Sequence, residues 1–264
     1  MSRKIAVVLA FALVVLCTAA FADTLQSTTG GSGWVSGWNP PTGTGHADFP
    51  SNAGTNGYYW DNGSYDGTIG TMNVGYCLTG TGECAGQIAS PPGNIPFWSG
   101  DGAGAADMSM FFQSTAPGVD ASALKIEIAG NAGINVFGWF ETNSTGSIVG
   151  ALHTIFTGPD SNGAVAVFTP TTYYGLYFQG ENGNTFYSVA GLGSDPNYQH
   201  FAVFDGGNGG FWIGMEDLPF SHPTDFDYND MIVSITPVPE PTTLVMFGSG
   251  LLGLASALRR KLQK

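Results

Sequence analysis

Basic side chains are almost absent from the body of this sequence: between Lys4 and Arg259 the only one is Lys125. All 20 carboxylates lie between Asp23 and Glu240, so the stretch Asp23–Pro237 sets nineteen acids against one lysine, net −18. Such a surface repels phosphate backbones and anionic lipid, which excludes nucleic acid as a partner. The missing cations also weigh against phosphoryl or sulfate transfer, which leans on fixed positive charge. Histidine is scarce and scattered, at His46, His153, His200 and His222, with no His-Glu-x-x-His pair for a metalloprotease. Ser147 has no Gly-x-Ser-x-Gly elbow, and Cys84 has no neighbouring histidine. With so many acids some carboxylate pair always looks fit for glycoside hydrolysis, so that possibility has little force. The expectation is a protein that is not an enzyme.

Long apolar runs are confined to the two ends. Arg3 and Lys4 precede the apolar stretch Ile5–Leu16, and Ala20-Phe21-Ala22 forms an A-x-A site. These are the parts of a secretory signal peptide over residues 1–22, with cleavage between Ala22 and Asp23. Cys17 would leave with it. Cys77 and Cys84 would then be the only cysteines of the exported chain, with Gly80 and Gly82 between them. In an oxidising compartment a small turn closed by a disulfide is expected, a free thiol pair being the alternative; two cysteines without histidine do not make a zinc site.

The C-terminal segment 238–264 is a second address. It reads Val238-Pro239-Glu240-Pro241, then the 17 apolar residues Thr242–Leu258, then Arg259-Arg260-Lys261. That run is at the short limit for spanning a bilayer, and the basic cluster beyond it favours keeping that end in the cytoplasm. The order of parts resembles the PEP-CTERM sorting signal of Gram-negative bacteria. The resemblance implies recognition of Pro239, Glu240 and Pro241 by a membrane transpeptidase-like enzyme, the exosortase, in cells that produce exopolysaccharide. It also implies transient anchoring by the tail and delivery to the cell surface or extracellular matrix.

Between the two addresses the composition changes once. Residues 23–104 are rich in Gly, Ser, Thr, Asn and Pro, with aromatic islands at Trp34, Trp38, Tyr58-Tyr59-Trp60 and Phe97-Trp98. Loops are expected there. Residues 105–237 carry short β-branched and aromatic runs about every ten residues, Ile148–Phe156 and Tyr173–Gln179 among them, divided by turn residues. In Leu124–Ile128 the apolar residues alternate with Lys125 and Glu127, as in a strand with one wet face. No stretch shows helical spacing with caps. The expected fold is all-β, a jelly-roll-like β-sandwich with Gly-rich loops.

The densest chemistry is Asp225-Phe226-Asp227-Tyr228-Asn229-Asp230, just before the last strand. In an extended backbone Asp225, Asp227 and Asn229 point one way and the aromatics the other. Asp230 opens the strand, and Glu216 and Asp217 follow the run Phe211–Gly214. Converging oxygen ligands suit a hard cation, and outside a cell that cation is Ca2+. Turn-forming Asx residues capping a strand would look the same in sequence. An EF-hand is excluded, because Asp230 stands where its loop needs Gly and Thr236 where it needs Glu. Asp205-Gly206-Gly207-Asn208-Gly209-Gly210 reads as a hairpin turn. The strand Trp212–Asp217 ending in Glu-Asp, followed by Asp227-Tyr228-Asn229-Asp230, resembles a C-terminal module of bacterial secreted proteins. That module has no settled function and is suspected of binding calcium. The resemblance implies metal roles for Glu216, Asp217, Asp227, Asn229 and Asp230; Asp225 joins them on geometry alone.

Three functional classes fit: a calcium-stabilised matrix protein, a calcium-dependent carbohydrate-binding module, and, with least support, a glycan-processing hydrolase. In the second, exposed Trp34, Trp38, Trp60 and Trp98 would stack on sugar rings of extracellular polysaccharide. Membrane contact is expected only through the signal peptide and the tail.

Overall fold

The computed structural model describes residues 23–29, 33–36, 59–60, 73–81, 84–98, 109–114, 118, 120–127, 133–219 and 227–238, with scattered positions between 248 and 259. Ala22 and the signal segment before it, and Pro239, Glu240 and Pro241, lie outside the described residues. Among those described, no helix is long and apolar enough to cross a membrane.

In chain order the strands are β1 (Thr24–Thr29), β2 (Trp34–Val35), β3 (Phe97–Trp98), β4 (Ser109–Gln113), β5 (Ala121–Glu127), β6 (Val136–Thr142), β7 (Ile148–Phe156), β8 (Val165–Phe168), β9 (Tyr173–Gln179), β10 (Thr185–Tyr187), β11 (Phe201–Gly207), β12 (Gly210–Met215) and β13 (Met231–Pro237). They form two antiparallel sheets. One runs β1-β4-β9-β6-β7, with β10 also on β9; the other runs β2-β3-β11-β12-β13-β5-β8. Aromatic rings join the two across the core. Phe112 meets Phe211 at 5.0 Å, and Phe168 meets Tyr174 at 6.1 Å and Trp139 at 6.3 Å. The protein is a β-sandwich.

The 23–104 stretch contributes to both sheets. Its β1 pairs with β4, while β2 and β3 extend the second sheet beyond β11. It also supplies a short helix, α1 (Val74–Thr79), which the sequence reading did not foresee. Asn73 caps it, its side chain accepting the Tyr76 N–H at 3.2 Å, and Gly80 ends it at φ 69°. That is the left-handed geometry a helix C-terminus uses. At about one and a half turns α1 is too short to show a period. The predicted disulfide Cys77–Cys84 is formed and ties α1 to the turn after it. Val74 lies against Gly214, where an added Cβ would come within 2.6 Å of Val74 Cγ2. Trp60 packs edge-on against Phe97 and Phe204, both at 5.0 Å. This N-terminal layer covers the β11–β12 part of the second sheet on the side away from the first.

The alternation in β5 is real, but the face of Lys125 is not wet, and Ile126 on the opposite face is buried as well. Lys125 pairs with Val233, on the side of the sheet that carries Ile213 and Phe211, and it is fully buried. Its ammonium donates to the carbonyls of Thr157 at 3.0 Å, Gly158 at 3.3 Å and Asp160 at 2.9 Å. These belong to the turn that carries the chain from β7 to β8. The Asp160 carboxylate closes the same turn by accepting the Thr157 N–H at 2.6 Å and its hydroxyl at 3.1 Å. Those bonds, with Lys125 nearby, hold its pKa below the usual carboxylate value.

Three buried phenols give the fold an alkaline limit. Burial raises the pKa of Tyr59, Tyr174 and Tyr228; the Asp23 carboxylate adds to the shift at Tyr174, and Tyr59, Glu216 and Asp195 add to it at Tyr228. A phenol whose folded pKa is raised stabilises fully below its unfolded pKa of about 10 and progressively less as pH rises above it. The melting temperature is therefore expected to fall steeply above about pH 10. Melts across pH 8–11 check this, with Tyr228→Phe giving a shallower decline. An equally steep decline in that variant would assign the limit to other groups.

Candidate metal centre

The strand ends build the site. β12 stops at Met215 and releases Glu216 and Asp217; β13 starts at Met231, immediately after Asp230. An isolated bridge between Met215 and Asn229 draws the two chain segments together. As a result one carboxylate oxygen each from Glu216, Asp217 and Asp230 lies within 4.8 Å of the others. Glu216 and Asp217 are each 2% exposed. Neutral donors fix the orientation. The Asp217 N–H donates to Asp230 Oδ2 at 2.7 Å, Asn135 Nδ2 to Asp217 Oδ2 at 3.1 Å, and the Leu218 N–H to Glu216 Oε1 at 3.3 Å.

Two of the other expected ligands bond to one another. Asp227 is buried, and its carboxylate accepts the Asn229 N–H at 3.1 Å and Asn229 Nδ2 at 2.7 Å. Its carbonyl accepts the N–H of Val74, the first residue of α1, at 2.8 Å. Tyr228 sits at φ 55°, so the backbone is not extended here and the expected alternation of Asp227 and Asn229 against Tyr228 does not hold. That twist puts the Tyr228 hydroxyl on the Gln199 carbonyl and its ring edge-on to Tyr59 at 5.4 Å. Asp227 and Asn229 thus brace the loop, and Glu216, Asp217 and Asp230 form the cluster. Asp225 lies outside the described residues.

Two contributors gave no sequence signal. Asn135, from the turn before β6, reaches Asp217 from the opposite sheet. His200 places Nδ1 3.1 Å from the Glu216 carbonyl and Nε2 3.3 Å from Asp195, with its ring stacked on Phe186 at 3.7 Å. Neither lies in a motif; each becomes visible only when the strand ends converge.

Of the tryptophans considered for sugar stacking, Trp60 is fully buried and offers no platform. Trp98 is half-buried. Trp34 is 40% exposed and meets Trp98 edge-on at 5.3 Å. Trp38 lies outside the described residues.

Chemically, three carboxylates this close suit a hard divalent cation or a shared proton.

Comparison with known families agrees with both resemblances. The chain carries a PEP-CTERM protein-sorting motif at residues 237–261 and a domain of unknown function, DUF4114, at residues 154–237. The second match runs from within β7 to the end of β13 and contains the whole carboxylate cluster, but not Asn135. Neither the curated proteins nor the solved structures yield a match to this chain.

Proposed function

We propose that this exported, exosortase-sorted chain is a non-enzymatic protein of the cell surface or extracellular matrix whose sandwich is stabilised by calcium at Glu216, Asp217 and Asp230. The observation that carries the calcium reading is the 4.8 Å convergence of three carboxylates at strand ends. Charges held that close repel strongly in a partly buried site, and a divalent cation removes the repulsion. Asp227 and Asn229 support the loop behind them. The predicted removal of residues 1–22 and the transient anchoring of 238–264 belong to the same reading, as does association with exopolysaccharide. A thermal melt with calcium and with chelator tests the cation. A cation bound only by the folded state adds about 2.7 kcal/mol of stability at a hundredfold excess over Kd and so raises the midpoint. No shift would remove calcium from the account.

A second reading, calcium-dependent carbohydrate binding, is favoured by one observation, the exposed face of Trp34 beside Trp98. Loss of polysaccharide retention in Trp34→Ala with an unchanged melting temperature would support it. Mass spectrometry of the protein recovered outside the cell tests sorting. The expected C-terminus lies near Pro239–Pro241, and an intact Lys264 would contradict cleavage.

A further inference from the structure

The loop Asp227–Asp230 holds a backbone shape that it would not keep alone. Tyr228 stands at φ 55°, a left-handed conformation that costs a bulky residue energy and persists only where neighbours enforce it. Part of that enforcement comes from the N-terminal layer. The Val74 N–H, left over at the start of α1, donates to the Asp227 carbonyl at 2.8 Å. Gly214 of β12 seats both segments, since a Cβ there would lie 2.5 Å from the Tyr228 carbonyl oxygen and 2.6 Å from Val74 Cγ2. Tyr59 sets its ring 5.4 Å from that of Tyr228, and its hydroxyl donates to the Phe201 carbonyl at 2.7 Å.

α1 is a weak prop by itself. Its six residues fall well below the about 12–15 that an isolated helix needs in water. Its far end is fastened instead. The Cys77–Cys84 bond joins its last turn to the segment that runs on to β3, and the Gly93 N–H of that segment donates to the Leu78 carbonyl at 2.9 Å. The segment is held to the second sheet by the Asp205 N–H on the Pro96 carbonyl at 2.7 Å and by Phe97 opposite Phe204. A continuous line of bonds therefore runs from β3 through the disulfide and α1 to the loop that delivers Asp230.

We propose that the Cys77–Cys84 disulfide is a redox latch on the carboxylate cluster. Closing it fixes α1, and α1 holds the Asp227–Asp230 loop in the shape that brings Asp230 to Glu216 and Asp217. The latch acts on the site described above and rests on the calcium reading only for its ligand. Both cysteines are buried, so the bond forms before the layer packs and is shielded afterwards. Its chemistry is exchange with an external disulfide. One cysteine thiolate attacks a sulfur of that oxidant and expels a thiolate; the second cysteine thiolate then breaks the mixed disulfide and expels the other. The two cysteine thiols lose two electrons and two protons, and the oxidant leaves as two thiols. Such oxidants act outside the reducing cytoplasm, so the loop is set only after export.

Hydrogen exchange of the full-length chain, read by mass spectrometry, tests this. The loop is followed through peptides spanning Asp227–Asp230, where Asp227 holds the Asn229 N–H, and β7 and β9 of the other sheet serve as references. With Cys77→Ala and Cys84→Ala combined, the loop is expected to exchange at least about tenfold faster while the references stay unchanged. Val74→Pro tests the route with the disulfide intact. Proline suits the first position of a helix, Asn73 before it already sits at φ −58° and ψ 162°, and the N–H to Asp227 is lost. The same loosening is expected there, and removing the cysteines as well should add less than about twofold. Unchanged loop exchange in either variant would overturn the latch. Equal loosening of β7 and β9 would overturn it too, by making the bond a general staple. Calcium titration of the same proteins separates the two readings. Binding to none of them removes calcium, while a selectively loosened loop keeps the latch; binding of equal affinity with and without the disulfide overturns the latch.

Discussion

Replacing Trp60 by alanine is expected to destabilise the sandwich by about 3–5 kcal/mol, the usual cost of deleting a large buried aromatic. Trp60 is wholly buried, edge-on to Phe97 of β3 and Phe204 of β11. Removing its ring opens a cavity and frees the N-terminal layer from the sheet at once. At about 2–4 °C per kcal/mol for a domain of this size, the melting temperature should drop by roughly 6–20 °C. A platform for sugar would behave in the opposite way, with unchanged melting and lost glycan binding. A loss below about 0.5 kcal/mol, within the range of ordinary surface changes, would mean that Trp60 is not a core residue.

Lys125→Met is the second large effect, expected at about 3 kcal/mol. The change keeps most of the apolar stem and removes the ammonium that holds three carbonyls of the Thr157–Asp160 turn. Each charge-assisted bond lost is worth about 1.5–3 kcal/mol, partly offset because water reaches the carbonyls of this exposed to half-buried turn and no charge remains to be desolvated. Arginine should not rescue the fold, since its planar fork cannot reproduce a compact donor set among three carbonyls. Urea unfolding of the two variants checks both statements, and a lysine that merely lay on the surface would give changes within about 0.5 kcal/mol.

These two residues also show where the sequence was legible and where it was not. Period-2 runs and turn residues located β4–β13; β7 and β9 coincide with their expected runs, Ile148–Phe156 and Tyr173–Gln179. A long strand between glycine-rich turns states itself locally. β2 and β3 are two residues each and exist only through pairing with one another and with β11. β1 reads as a polar Ser/Thr run, and its place depends on β4. The face of Lys125 was misjudged because alternation fixes which residues share a side, not which side is wet. Here a loop from β7 supplies the polar partners. At the site, Glu216, Asp217 and Asp230 were legible as strand-end acids. The bonding of Asn229 to the Asp227 carboxylate was not, because it turns on the positive φ of Tyr228.

The measurement that bears most directly on the central claim is equilibrium binding of calcium to the exported chain by isothermal titration, repeated with Asp217→Asn combined with Asp230→Asn. The account predicts saturable binding at one site per chain, abolished in the double variant, with magnesium competing weakly because it tolerates flexible all-protein oxygen cages poorly. Absence of saturable binding, or binding unchanged in the variant, would contradict it. The carboxylate cluster would then be a feature of the strand ends with no cation to hold.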